Sequence, residues 1–218
     1  MTKASAPSAP TPHPAYLLRI ELRGFKPAIW RDVWVAPRIT LPELHDVVQA
    51  AMGWENAHMH AFAQPLKNEG FWQAPPDRVY QPHMPFDFDG LGESEAKNED
   101  GVALNTLLCA PKAKLLYMYD FGDDWEHVIT LKSIDEVAEP LPWLVKAQNG
   151  CPPEDVGGPP GAAYWAEIWH DPSHPEHETA REIMGDDEPG TLHFDQLQAA
   201  VHALRPRPRK PARKRKPA

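Results

Sequence analysis

Cysteine is nearly missing from this 218-residue chain. Cys109 and Cys151 stand alone with no C-x-x-C pair, so neither a zinc ribbon nor a disulfide framework can be built from them. Long apolar runs are missing too, since no stretch approaches the roughly 18 residues needed to span a bilayer. The opening MTKASAPSAPTP lacks the apolar core of a signal peptide. These absences lead to the expectation of a soluble cytoplasmic protein without a membrane partner. No phosphate-binding G-x-x-x-x-G-K-[ST] loop is present, and Gly157, Gly158 and Gly161 are interrupted by prolines, so no G-x-G-x-x-G turn forms. Basic residues are scarce in the body of the chain: residues 1–204 hold 14 Lys+Arg against 31 Asp+Glu, a net of −17. That balance argues against broad nucleic-acid binding by the folded part, because phosphate contacts need local Lys and Arg.

What the chain does have is proline, at 26 residues, more than twice the usual roughly 5%. It predicts long loops and frayed ends. Residues 1–14 read as a disordered arm, 15–204 as one domain and 205–218 as a disordered basic tail. Tyr16, Leu18, Ile20 and Leu22 alternate with polar neighbours, which predicts a strand near 15–23; a second follows near 28–36 after the Gly24–Pro27 turn signal. Thr40-Leu-Pro-Glu43 is a capping box, and Leu41, Leu44, Val47, Val48, Ala51 and Met52 form a helical stripe that Gly53 can stop. Further strands are predicted near 58–63, 114–120 and 126–134. Residues 64–101 read as an irregular surface insertion and 140–161 as a loop. Helices are expected at 162–169, 175–184 and 195–204, the last with Asp195 and Gln198 as a second capping box. Strands and helices are segregated, so the expected fold is α+β with a mostly antiparallel sheet and long proline-rich loops.

Chemistry is densest in Tyr117–His127, where four acids and a histidine sit among aromatics at a strand–turn–strand. Asp120, Asp123, Asp124, Glu126 and His127 could meet Glu154 and Asp155 if the 150s loop folds over the hairpin turn. Carboxylates suit hard cations, and histidine adds zinc or manganese; Asp120, Asp123 and His127 are the metal-ligand candidates. The structural alternative is that Asp120 and Asp123 bond turn amides while the aromatics pack. Trp30, Trp34, Trp54 and Trp125 could line an aromatic groove or simply fill the core. His58 and His60, two apart on a strand, have spacing for joint ligation, with His45 on the preceding helix able to approach them, but in a chain of eleven histidines the expected outcome is satisfied or exposed imidazoles. Arg205, Arg207, Arg209, Lys210, Arg213, Lys214, Arg215 and Lys216 are the only concentrated nucleic-acid candidates, kept extended by intervening prolines.

Four blocks together carry a family resemblance: Lys26–Arg31, Leu41–Phe62 with its Met52-Gly-Trp54 and His58-Met-His60, Tyr119–His127, and Cys151–Gly158. The chain resembles the plasmid pRiA Orf-like family, also called insertion-element passenger TnpR-like proteins, over about residues 15–204. It departs from the family at Val156, where a second cysteine often stands. The resemblance implies association with a mobile element but carries no settled activity. The name TnpR suggests a resolvase, but that does not extend to chemistry: Ser5, Ser8, Ser94, Ser133 and Ser173 lack the arginine setting of a recombinase nucleophile. The leading expectation is an accessory protein that binds a small-molecule ligand or a protein partner in an acidic and aromatic cleft between the Asp120–His127 hairpin and the Cys151–Gly158 loop. One rival is a metal-assisted hydrolase or nuclease with Glu154 or Asp155 as base. The other is a DNA-associated factor acting through the basic tail.

Overall fold

A computed structural model describes residues 11–67, 69–82 and 96–205. Its centre is one eight-stranded sheet made of β1 (His13–Leu22), β2 (Ile29–Val35), β3 (His60–Ala63), β4 (Val79–Gln81), β5 (Lys97–Asn98), β6 (Lys114–Tyr119), β7 (Trp125–Val137) and β8 (Trp143–Gln148). They lie in the order β5-β4-β3-β6-β7-β1-β2-β8. Neighbours are antiparallel except for the short β4/β5 pair, which is parallel. The helices are α1 (Leu41–Met52), α2 (Leu104–Leu107), α3 (Gly158–Trp169), α4 (His177–Met184) and α5 (Phe194–Ala203). The fold is therefore α+β with a mostly antiparallel sheet, as the segregation of patterns predicted.

Local chemistry explains α1. Thr40 and Glu43 close the capping box in both directions, Pro42 occupies the first turn, and Gly53 ends the helix at φ 90 with its amide on the Gln49 carbonyl. The stripe Leu41, Leu44, Val47, Val48, Ala51 and Met52 is buried against the sheet face that carries Leu18, Ile20, Leu22, Val33, Leu115, Ile129 and Leu131. Two polar residues, His45 and Gln49, share that buried stripe. The opposite face is covered locally, where Ala61, Ala63, Leu116 and Met118 pack against Phe71 from a 3₁₀ turn.

Four expectations need correction. The span 64–101 is not wholly an irregular surface insertion, because β4 and β5 extend the sheet within it and Phe71, Tyr80 and Glu99 are buried. Residues 140–161 are not all loop, because β8 lies inside them. Its prolines and glycines flank Trp143–Gln148 rather than occupy it, and Leu144 is buried opposite Val33. β1 begins at His13, inside the segment expected to be an arm. Pro14 is tolerated there because β2 pairing starts only at Tyr16, so that end of β1 is bonded on one side alone. Finally, α5 starts at Phe194 with no side-chain cap, and Gln198 instead donates from Nε2 to the Leu144 carbonyl at 2.9 Å. That bond, with Arg205 Nε on the Pro142 carbonyl at 3.2 Å, occupies carbonyls at the sheet edge. Residues 1–10 and 206–218, hence most of the expected arm and tail, lie outside the described residues.

Arg31 links the layers. Fully buried, it donates from Nε to the Ala51 carbonyl at 2.7 Å and from Nη1 to the Trp30, Gln148 and Asn149 carbonyls at 2.9, 3.1 and 2.9 Å. The Ala51 carbonyl lies in the last turn of α1, where the helix dipole favours a cation. Burial holds the guanidinium below its ordinary pKa.

Candidate functional site

The β6–β7 hairpin turns through Asp120–Asp124, with Asp120 and Asp124 both at φ 55. Asp120 Oδ1 accepts from the Gly122 amide at 2.9 Å and the Asp123 amide at 3.4 Å, a local bond that suits aspartate to this conformation. The other acids reach outward to different segments. Asp123 Oδ2 accepts from the Gly157 amide at 3.1 Å, just before α3. Asp124 Oδ1 accepts from Trp72 Nε1 at 3.1 Å, while Glu126 Oε1 accepts from the Phe71 amide at 2.9 Å and meets Arg23 Nη1 at 3.2 Å.

The 150s loop lies against the same turn. Trp54 Nε1 donates to the Pro152 carbonyl at 2.9 Å, and Glu154 Oε2 accepts from the Glu55 amide at 2.8 Å. The Tyr119 hydroxyl accepts the Ala57 and His58 amides at 2.9 and 3.2 Å and donates to Glu154 Oε1. Burial and that carboxylate hold the phenol well above its ordinary pKa. His58 sits between the two loops: Nδ1 lies 3.5 Å from Asp120 Oδ2 and Nε2 lies 3.2 Å from Asp155 Oδ1. Among the described residues, His58, Asp120 and Asp155 form the group whose candidate metal-ligand atoms all lie within 4.8 Å of one another. Asp155 is the open member, with its side chain 73% exposed.

The residues expected to share one cleft therefore divide. Asp120, Glu154, Asp155 and Trp54 come together; Asp123 is spent on the Gly157 amide; Asp124 and Glu126 turn toward residues 71–72. His127 does not join Asp120 and Asp123. Strand alternation turns it toward α1, fully buried, with Trp54 edge-on at 5.3 Å between ring centroids. Its Nδ1 donates to the Trp125 carbonyl at 2.9 Å, and burial pulls its pKa down to about 3. Trp125 is likewise core. Trp30 faces away from α1, beneath the Arg19 guanidinium at 3.7 Å, and so shares no groove with Trp54. Of the basic candidates only Arg205 is described, and it packs over Trp143 at 5.0 Å; the other seven lie outside the described residues.

Sequence reasoning passed over Tyr119, and His58 and His60 do not act as joint ligands. His60 goes to Glu99, with Nε2 at 3.0 and 3.2 Å from its two carboxylate oxygens. His45 stacks on His60 at 3.6 Å and 9°. Its Nε2 donates to Asn56 Oδ1 at 2.7 Å, which leaves Nδ1 to accept from the Tyr117 hydroxyl at 2.8 Å. Burial and then the neighbouring His60 draw the His45 pKa down to about 4. The available signal was alternation: Tyr117, Tyr119 and His127 all point from the sheet toward the helix that carries His45.

A profile of the plasmid pRiA4b ORF-3-like proteins matches residues 14–202. The chain is 36% identical over 191 residues to y4hQ, an uncharacterised protein of Sinorhizobium fredii, with 86% of this chain and 90% of that one covered. Among solved structures it is similar to MM3350 of Methanosarcina mazei Go1, a protein of unknown function, with a TM-score of 0.68 and 26% identity. That likeness covers 82% of this chain and 94% of the other. Among the described residues no helix is long and apolar enough to cross a membrane.

Proposed function

This chain belongs to the plasmid pRiA4b ORF-3-like family, and from that premise we propose that it is an accessory binding protein of a mobile element. Its ligand seat is the junction of the hairpin turn and the 150s loop, where His58, Asp120 and Asp155 hold a divalent cation. One observation carries this reading: a single imidazole stands 3.5 and 3.2 Å from carboxylates supplied by two separate loops. Imidazole with carboxylates suits zinc or manganese, and a bound ion would offset the repulsion of two acids facing each other. The exposure of Asp155 leaves room on the ion for a donor from a partner or a small molecule.

Metal-assisted hydrolysis has less behind it. Both oxygens of Glu154, one of the two expected bases, already accept hydrogen bonds, and Asp155 is drawn into the ligand set. Contact with DNA through residues 205–218 remains a separate proposal, resting on charge alone. It requires an affinity that falls steeply with salt and disappears when that segment is deleted.

The cation test is a titration of metal-stripped protein with manganese and with zinc, beside His58→Ala and Asp155→Asn. One ion per chain is expected, weakened at least about tenfold in each variant, as loss of a coordinating group should do. Wild-type protein that takes up no ion at millimolar concentration, or variants that bind as tightly as wild type, would reduce His58 to an ion-pair strap between two loops.

A further inference from the structure

Residues of the 150s loop also wall a cavity of about 570 Å³ that includes none of His58, Asp120 and Asp155 in its lining. It is bounded by the Gly24–Pro27 turn, residues 149–153, α3 and residues 184–193. The volume is in the range that encloses a small organic molecule. Its wall is largely apolar, with Phe25, Pro27, Ile29, Pro153, Ala162 and Ala166 in it. Glycines and prolines at 150, 152, 153, 189 and 190 put backbone close to the space, and Gly150 N bonds the Gly190 carbonyl at 2.7 Å, which ties two of the walls together.

Charge enters from one side. Asp186, Asp187 and Glu188 are consecutive lining residues, with side chains 92%, 68% and 74% exposed, and so stand where the cavity meets solvent. Asp186 meets Arg181 at 2.5 Å, Asp187 meets His193 at 2.9 Å, and Glu188 lies 3.8 Å from His170. Lys26 is the cationic side chain in the lining. Three carboxylates against Lys26 and Arg181, on a body of net −17, make the entrance favour cations. An apolar interior with an acidic entrance fits a ligand that buries its body and leaves a charged end outside.

We infer that this cavity binds a small molecule with an apolar or aromatic body and one protonated amine, the amine resting at Asp186–Glu188. The site is separate from the cation seat at His58, so either can fail without the other.

The probes are three molecules of one shape: naphthylmethylamine, naphthylmethanol and naphthylacetate, titrated calorimetrically into the full chain. The amine should bind with a Kd on the order of 0.1–1 mM, ordinary for a ligand of this size. It should exceed the carboxylate by about tenfold, the scale of a unit charge near a surface cluster. Ala163→Trp, at an exposed lining position of α3, should abolish binding with an unchanged melting temperature. Replacing Asp186, Asp187 and Glu188 together by their amides should keep the naphthyl group bound and erase the preference. Equal or tighter binding of the carboxylate, binding that survives a folded Ala163→Trp variant, or no binding of any probe would each overturn the inference. So would probe binding that appears only after deletion of residues 206–218, which would assign the cavity to the chain's own tail.

Discussion

Acid should unfold this protein through two neutral histidines. The perturbation is a drop from about pH 7.5 to about pH 4.5. In the folded state burial keeps His45 and His127 unprotonated down to about 4 and about 3, whereas an unfolded chain takes up protons near 6.5. Both folded pKa values are depressed, so the unfolded state binds more protons below that point. Stability is therefore complete above about pH 6.5 and is lost as pH falls toward 4 and then 3. By pH 4.5 each histidine costs about 2–3 kcal/mol, and the slope approaches two protons, about 2.7 kcal/mol per pH unit. The joint loss of about 5 kcal/mol is comparable to the whole stability of many domains. Asp46 works in the opposite sense, since burial raises its carboxyl, but it is mostly exposed and its share is small. Urea unfolding at four pH values reads the slope. His45→Gln and His127→Gln should each remove about one proton from it, whatever they do to stability at neutral pH. A change of less than about 1 kcal/mol across this range, or a slope that neither variant alters, would refute the reasoning.

Gly158→Ala should destabilise strongly, by about 3 kcal/mol or more, because a Cβ there would lie 2.1 Å from the Asp123 carbonyl oxygen at φ 65; a thermal melt measures it. Asp123→Ala should cost about 1 kcal/mol through the lost Gly157 bond while leaving manganese or zinc affinity within about twofold of wild type; loss of the ion would return Asp123 to the ligand set. Arg31→Met should cost about 3–5 kcal/mol in chemical denaturation, since four buried or partly buried carbonyls lose their donor together, and a near-neutral result would mean water replaces the guanidinium.

How far the candidate site could be read from the sequence depended on the distance between partners. The Asp120 turn, the α1 cap and the Gly53 stop are bonds made within five residues, and each follows from side-chain chemistry at fixed spacing. The proximity of the hairpin to the 150s loop was expected from a proline-stiffened segment rich in acids, and Asp120 and Asp155 do meet across His58. Which acid meets which nitrogen was not readable. The H-x-H spacing left joint action of His58 and His60 open beside separately satisfied histidines; β3 starts only at His60, so His58 lies before the strand and takes other partners.

The sequence by itself determined the alternation of β1, the extent of α1, the β6–β7 hairpin and the α+β class, because periodicity and caps act through neighbours along the chain. It also determined that the body is acidic. Only the tertiary structure decided that β8 completes the sheet edge, that His127 and Trp125 belong to the core and that Trp30 faces away from Trp54. It alone brought Tyr119 to Glu154 and His58 to Asp155. Those outcomes turn on strand order and on loop closures spanning tens of residues, where many pairings satisfy the same local rules and only the packing of the whole sheet against its helices selects one.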